Sequence, residues 1–279
     1  AKALDEAVAE DSRVLIIGAV LIGLKCAEGI SGKTRNIKVV DLADRILPSI
    51  LDKKGSEIVQ KYIEEQGVEF YLNNSAAKLE NGKATLKNGE EIEFDVLVVA
   101  VGVRANTELV AEAGGEVNRG IVTDLRCETT LKDVYAAGDC AESYDITTDT
   151  SRVLALLPNA YKQGYAAGVN MAGGDKLYDD AMPMNAIGFF GLHVITAGSY
   201  DGEEVVSGEG NVYKKLVIKD NKLVGYIMIG DILRAGIYTR LIREQIPLDE
   251  VDYELMLSRP AEMIFPKAVR AKDVGGAEL

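Results

Sequence analysis

Val14-Leu-Ile-Ile-Gly18-Ala-Val20-Leu-Ile-Gly23-Leu-Lys25-Cys-Ala-Glu28 reads as a strand, a tight turn and a helix. Val14 to Ile17 is a short, unbroken apolar run, the pattern of a strand buried on both faces. Gly18 ends it, and Gly23 lets the following helix pack closely on the strand. This order opens a dinucleotide-binding α/β unit. The unpaired N–H groups at such a helix start, here around Leu21 and Ile22, suit a pyrophosphate. The fingerprint asks for glycine at its first, third and sixth positions. Those positions hold Gly18, Val20 and Gly23. Val20 puts a branched side chain where backbone approaches pyrophosphate most closely, so Val20→Gly is expected to tighten binding. A second apolar run, Asn36–Val40, ends at Asp41, about 20 residues past the glycines, where an acid accepts from a ribose 2′-hydroxyl. An acid there repels a 2′-phosphate and favours NADH over NADPH.

The chain has 279 residues, enough for one to three domains and a sizeable core. Its formal net charge of −13 argues against nucleic acid and against an anionic membrane surface. No apolar run is long enough for a spanning helix. Cys26, Cys127 and Cys140 form neither a C-x-x-C pair nor a metal cluster, so no metal is expected. Reduced thiols and the lack of a signal-like opening lead to the expectation of a cytoplasmic protein. The single histidine, His193, has no G-x-S-x-G elbow to support a hydrolase.

Outward from the fingerprint, residues 1–12 read as a polar helix and Ser56–Glu65 as an amphipathic one closed by Gly67. Val68–Leu72 is a strand. Ala76–Leu79, Lys83–Leu86 and Glu91–Phe94 form a three-stranded meander turned at Asn81-Gly82 and Asn88-Gly89. Asp95–Ala100 returns to the parallel sheet, and Gly102 follows at its carboxyl end. Glu108–Ala113 is a short helix. Strands are expected at Ile121–Thr123 and Val134–Ala137, with Gly138-Asp139 capping the second. A long helix spans Asn159–Met171. Beyond a linker at Gly173–Pro183, strands are expected at Ala186–Phe190, His193–Ala197, Tyr213–Lys219 and Leu223–Ile229, then a helix over Ala235–Glu244.

Four segments agree in order and spacing with one family. Val14–Glu28, Leu97–Thr107, Val134–Ala141 and Leu157–Gly164 resemble the FAD-dependent pyridine nucleotide–disulfide oxidoreductases, in the branch of NADH:rubredoxin reductases, NADH oxidases and the flavin portion of nitrite reductase. The resemblance implies hydride transfer from NADH to FAD and onward to an acceptor such as a small redox protein (rubredoxin) or oxygen. It implies that Gly102 lets backbone approach the nicotinamide dinucleotide. It also implies that Gly138 and Asp139 meet the flavin's ribitol chain. The start of the Asn159 helix would face the isoalloxazine, with free N–H groups near Ala160 and Tyr161. Lys25 stands where many relatives carry glutamate, near the flavin–nicotinamide junction, and is the one catalytic candidate. Arg104 is a further candidate for dinucleotide phosphate.

The resulting architecture is α/β. A Rossmann-like NAD domain with its meander covers 1–104. The second half of a Rossmann-like FAD domain covers 105–174, and an α+β domain of the dimerisation type covers 175–279. Family members begin with a flavin half carrying its own glycine fingerprint. The expectation is therefore a piece of a larger flavoprotein that does not retain FAD by itself. It is expected to be a homodimer, with an open apolar face around Ile121–Thr123 and Val134–Ala137. The competing reading is a binding or assembly module derived from such a reductase.

Overall fold

The computed structural model describes residues 2–264. The last part of the 175–279 domain, residues 265–279, lies outside them. The element order starts with α1 (Lys2–Ala7), β1 (Val14–Ile17), α2 (Leu21–Ile30), β2 (Ile37–Val40), α3 (Lys53–Glu64) and β3 (Val68–Tyr71). The meander is β4 (Ala76–Glu80), β5 (Lys83–Leu86) and β6 (Glu91–Glu93), and β7 (Val96–Val99) follows. Strands β3-β2-β1-β7 form one parallel sheet in that order.

Alternation along β1 sets the layers. Val14 and Ile16 enter a core with Leu24 and Ala27 of α2 and Ile58, Val59 and Ile63 of α3. Leu15 points the other way, against Ala84, Leu86 and Ile92 of the meander. The meander thus covers the face that the helices leave open. Its first turn has Asn81 at φ +50 and Gly82 at φ +74, the paired left-handed geometry that an Asn-Gly hairpin needs.

The middle of the chain has little regular structure. It contains α4 (Glu108–Glu112), the hairpin β8 (Glu142–Asp145) and β9 (Thr150–Val153), and α5 (Leu157–Met171). The strands expected at Ile121–Thr123 and Val134–Ala137 are single bridges: Ile121 to Ala141, Thr123 to Thr129 and Glu128 to Tyr135. The cause is the turn at 124–128. Asp124 Oδ1 accepts from the N–H groups of Arg126 and Glu128, so the chain folds back before a ladder can grow. The apolar face expected there is open only in part, at Val134. Ile121 and Ala136 are buried in a small core with Val110 and Ala141. The β8–β9 hairpin escaped the sequence reading because it is polar. Asp145 holds it, accepting from Thr147 and from Arg152.

The remainder is β10 (Met184–Phe189), β11 (Leu192–Gly198), β12 (Glu203–Ser207), β13 (Tyr213–Lys219), β14 (Lys222–Ile229), α6 (Ala235–Arg243) and α7 (Tyr253–Ser258). The strands form an antiparallel sheet ordered β10-β11-β14-β13-β12. One face carries α6. The other packs Phe189, Val194, Ile227 and Ile229 into the same core as α2 and α3. Polar contacts line that seam. Glu28 accepts from the Phe190 N–H at 2.9 Å, and Tyr62 donates to the Phe190 carbonyl at 3.0 Å.

Candidate functional site

Two corners of the molecule hold most of the residues singled out by sequence. The first lies at the carboxyl ends of β1, β2 and β7. Ile17 pairs with Val40 on one side and Val99 on the other, so the three strands end together. Gly18 sits there at φ +114, and a Cβ on it would lie 2.2 Å from the Ala100 carbonyl oxygen. A Cβ on Gly23 would lie 2.0 Å from the Gly18 carbonyl oxygen. Neither position admits a side chain without moving backbone. Val20 is different. Its φ of −100° and ψ of 178° are extended, and it is the N-cap residue of α2 without any side-chain cap. The first N–H groups of α2, on Leu21, Ile22 and Gly23, therefore keep the donor capacity and partial positive charge of an uncapped helix start.

Asp41 stands beside this turn. Its Oδ2 accepts from the Ala19 N–H at 2.6 Å and its Oδ1 from the Ala43 N–H at 2.8 Å. The carboxylate is half-buried, so lone pairs remain for a ligand hydroxyl. Gly102, at φ +104, is exposed beyond β7 with open space around it. The structure thus brings Gly18, Val20, Leu21, Ile22, Gly23, Asp41 and Gly102 to one sheet end. Lys25 points elsewhere. It pairs with Glu28 and donates to the Gly188 carbonyl at 3.1 Å, on the seam with β10. His193 is exposed on β11, paired with Gly188, and takes no part in either corner.

The second corner surrounds Gly138. This residue has φ +85, and its N–H donates to Gln163 Oε1 at 2.5 Å. Gln163, on α5, is only 2% exposed and also donates to Ser143 Oγ. Asp139 is exposed and lines a cleft of about 900 Å³ with Arg104, Arg119, Arg152 and Cys140. That volume is in the range of a cofactor site. The start of α5 corrects one expectation. The helix begins at Leu157, with Pro158 in its first turn. The Ala160 N–H is already bonded to the Leu156 carbonyl at 2.9 Å, so it is not free. Proline costs nothing at that point because its missing N–H would have had no partner. Leu157 and Asn159 are the first-turn donors that remain. The Asn159 side chain is buried and donates to the Met182 carbonyl at 3.3 Å.

Sequence reading passed over Gln163, Arg119 and Arg152. Gln163 had a signal: it lies one turn after Asn159, on the buried side of a helix where glutamine needs a partner. The arginines had none: Arg119 lies in a short turn before Ile121, and Arg152 lies on the polar strand β9. Burial pushes the Cys127 thiol up to about 11, with the Asp124 charge adding to it, so Cys127 is inert at neutral pH. Among the described residues no group of His, Cys, Asp and Glu could hold a metal ion, and no helix is long and apolar enough to cross a membrane.

Comparison with known proteins gives two family matches. Residues 1–164 match the pyridine nucleotide-disulphide oxidoreductases, and residues 183–246 match the rubredoxin NAD+ reductase C-terminal domain. The chain is 31% identical over 255 residues to the epsilon subunit of an NADH-dependent phenylglyoxylate dehydrogenase from Aromatoleum evansii, which covers 87% of this chain and 60% of that one. It is 37% identical over 139 residues to a rubredoxin-NAD(+) reductase from Acinetobacter baylyi, covering 48% of this chain and 35% of that one. It thus spans less than two thirds of the length of these curated relatives. Among solved structures, an FAD-dependent pyridine nucleotide-disulphide oxidoreductase from Desulfovibrio vulgaris superposes with a TM-score of 0.81 at 24% identity. It covers 98% of this chain and 74% of that one, and shows the shared fold.

Proposed function

Because this chain belongs to the pyridine nucleotide-disulphide oxidoreductase family, we propose that it binds NADH at the β1–α2 corner and works within an NADH-dependent flavoprotein reductase. The observation that carries the reading is Asp41, held against the Gly18–Ala19 turn at 2.6 Å beside an uncapped helix start. In that chemistry the nicotinamide supplies a hydride and the flavin passes its electrons on one or two at a time. The chain's own part is to bind and orient. The Leu21–Gly23 N–H groups take pyrophosphate, and Asp41 takes the adenosine ribose. Gly102 leaves room for the nicotinamide end. At the second corner, Asp139 accepts from ribitol hydroxyls, the Leu157 and Asn159 N–H groups face negative charge on a reduced flavin, and Ala160 packs against the Gly138 turn. Lys25 is assigned to docking the C-terminal sheet.

The same proposal takes a small redox protein as electron acceptor, a two-fold homodimer formed through the C-terminal sheet, and a cytoplasmic setting suited to three free cysteines. Calorimetric titration with NADH and NADPH tests its core. NADH should bind more tightly, and Asp41→Asn should weaken NADH about tenfold, ~1.4 kcal/mol, while narrowing the gap to NADPH. Preference for NADPH in the native chain would overturn the assignment of Asp41. No binding of either nucleotide would favour the non-catalytic module.

A further inference from the structure

The loop that follows Asp41, residues 41–51, is held in an uncommon conformation. Leu47 has φ +50 and is fully buried. Leucine rarely adopts left-handed backbone, and such a residue persists where its surroundings over-determine it. Its N–H donates to the Ala19 carbonyl at 2.9 Å, inside the fingerprint turn. Ala19 is also the residue whose N–H Asp41 accepts. Loop and turn are therefore one mechanical unit.

Much of what over-determines this unit is the C-terminal sheet. Tyr200 donates to the Ile50 carbonyl at 2.7 Å. Tyr213 donates to Asp52 Oδ2 at 2.7 Å, and Lys215 Nζ to the same oxygen at 3.0 Å. The other oxygen of Asp52 caps α3 through the Gly55 N–H at 2.8 Å. Burial alone would raise the Asp52 carboxyl. The Gly55 N–H, Tyr213 and Lys215 outweigh it and hold the group below the usual range. Lys215 is buried and pairs with Glu204 as well. Behind these polar contacts Ile46, Leu47 and Leu51 share a core with Phe189, Tyr213 and Ile229.

We infer that the C-terminal sheet is a positioning element of the nucleotide site. Through Tyr200, Tyr213 and Lys215 it fixes the 41–51 loop, and so keeps Asp41 and the Gly18–Ala19 turn in the geometry that accepts a ribose 2′-hydroxyl and rejects a 2′-phosphate. These three are positioning residues, acting through Ile50 and Asp52. The inference rests on the NADH reading above.

The test uses the full chain and the double variant Tyr200→Phe/Tyr213→Phe, which removes two hydroxyls and keeps the ring volumes. Titration with both nucleotides reads the ratio of the NADPH Kd to the NADH Kd, and hydrogen exchange without nucleotide reads the loop. The ratio should fall about fivefold, and the amides of Ala19 and residues 42–47 should exchange faster. A general loss of stability weakens both nucleotides alike and leaves the ratio unchanged. An unchanged ratio in a variant that still binds NADH overturns the positioning role alone. A native chain that binds neither nucleotide overturns the NADH reading instead. The exchange result then decides the mechanical link: faster exchange upholds it and unchanged exchange rejects it. Should the double variant not fold, Tyr200→Phe alone is read in the same way.

Discussion

The two corners solve one problem by different means. Each reverses the chain at a glycine in left-handed backbone and presents a carboxylate next to a helix. At Gly18 the backbone itself dictates the residue, because the neighbouring Ala100 carbonyl leaves 2.2 Å for a Cβ. At Gly138 the nearest atom to such a Cβ is 3.8 Å away, and the turn is held by the side chain of Gln163. The carboxylates differ in the same sense. Asp41 both stabilises its turn and keeps lone pairs for a ligand, whereas Asp139 is exposed on a cleft while a separate residue stabilises the turn. A corner packed inside a parallel sheet is specified by steric exclusion. A corner outside any sheet is held by hydrogen bonds instead: Gln163 to the Gly138 N–H, and the Ala141 N–H to the Gly138 carbonyl at 3.1 Å.

This contrast can be broken by paired substitutions. Gly18→Ala should cost about 3 kcal/mol, from left-handed strain plus the overlap with Ala100. Gly138→Ala should cost only about 1 kcal/mol, from strain alone. Urea unfolding of both variants measures the difference, and equal losses would erase the distinction. Gln163→Leu sharpens the other side. It leaves the Gly138 N–H and Ser143 hydroxyl without their partner, for about 2 kcal/mol. Hydrogen exchange at Gly138 should rise with it, while Gly18 stays protected. Protection retained at Gly138 would show that the turn does not need the amide.

The smallest effect lies at the opposite end of the first corner's sheet, where charge replaces steric fit. The Arg13 side chain, and then its backbone N–H, hold the Asp95 carboxyl down at about 2 against an ordinary 3.8. A carboxyl lowered by folding stabilises above its ordinary value and loses that contribution as pH falls. Urea midpoints should therefore drop between about pH 4 and pH 2 in the native chain. Asp95→Asn should lack that component. Because the pair is solvent-exposed the drop is small. An identical pH profile for the variant would count against the pairing.

Much of this was legible in sequence for physical reasons. Short apolar runs mark strands of a parallel sheet: Val14–Ile17 forms and is buried as expected, whereas Val96–Val99 forms in the sheet but is only half-buried, with Val99 exposed. Asn-Gly turns mark hairpins because few other pairs adopt left-handed backbone. The polar strands β8, β9 and β12 carried no such signature, since their pairing depends on Asp145–Arg152 and on a neighbouring β13. The second corner was half visible. Gly138-Asp139 stood out, but the role of Gln163 depends on a contact 25 residues away.

The chain's own residues determined the parallel sheet, the glycines of its turn and the acid at the end of β2, because sterics and periodicity act over a few neighbouring positions. Only the tertiary structure decided where Lys25 points, which N–H groups of α5 stay free, and that Tyr200, Tyr213 and Lys215 reach across to the 41–51 loop. Those facts depend on which surfaces meet. The meeting of α2 and α3 with a sheet more than 100 residues further on, as between Glu28 and Phe190, is set by burial of a shared core, not by any local pattern.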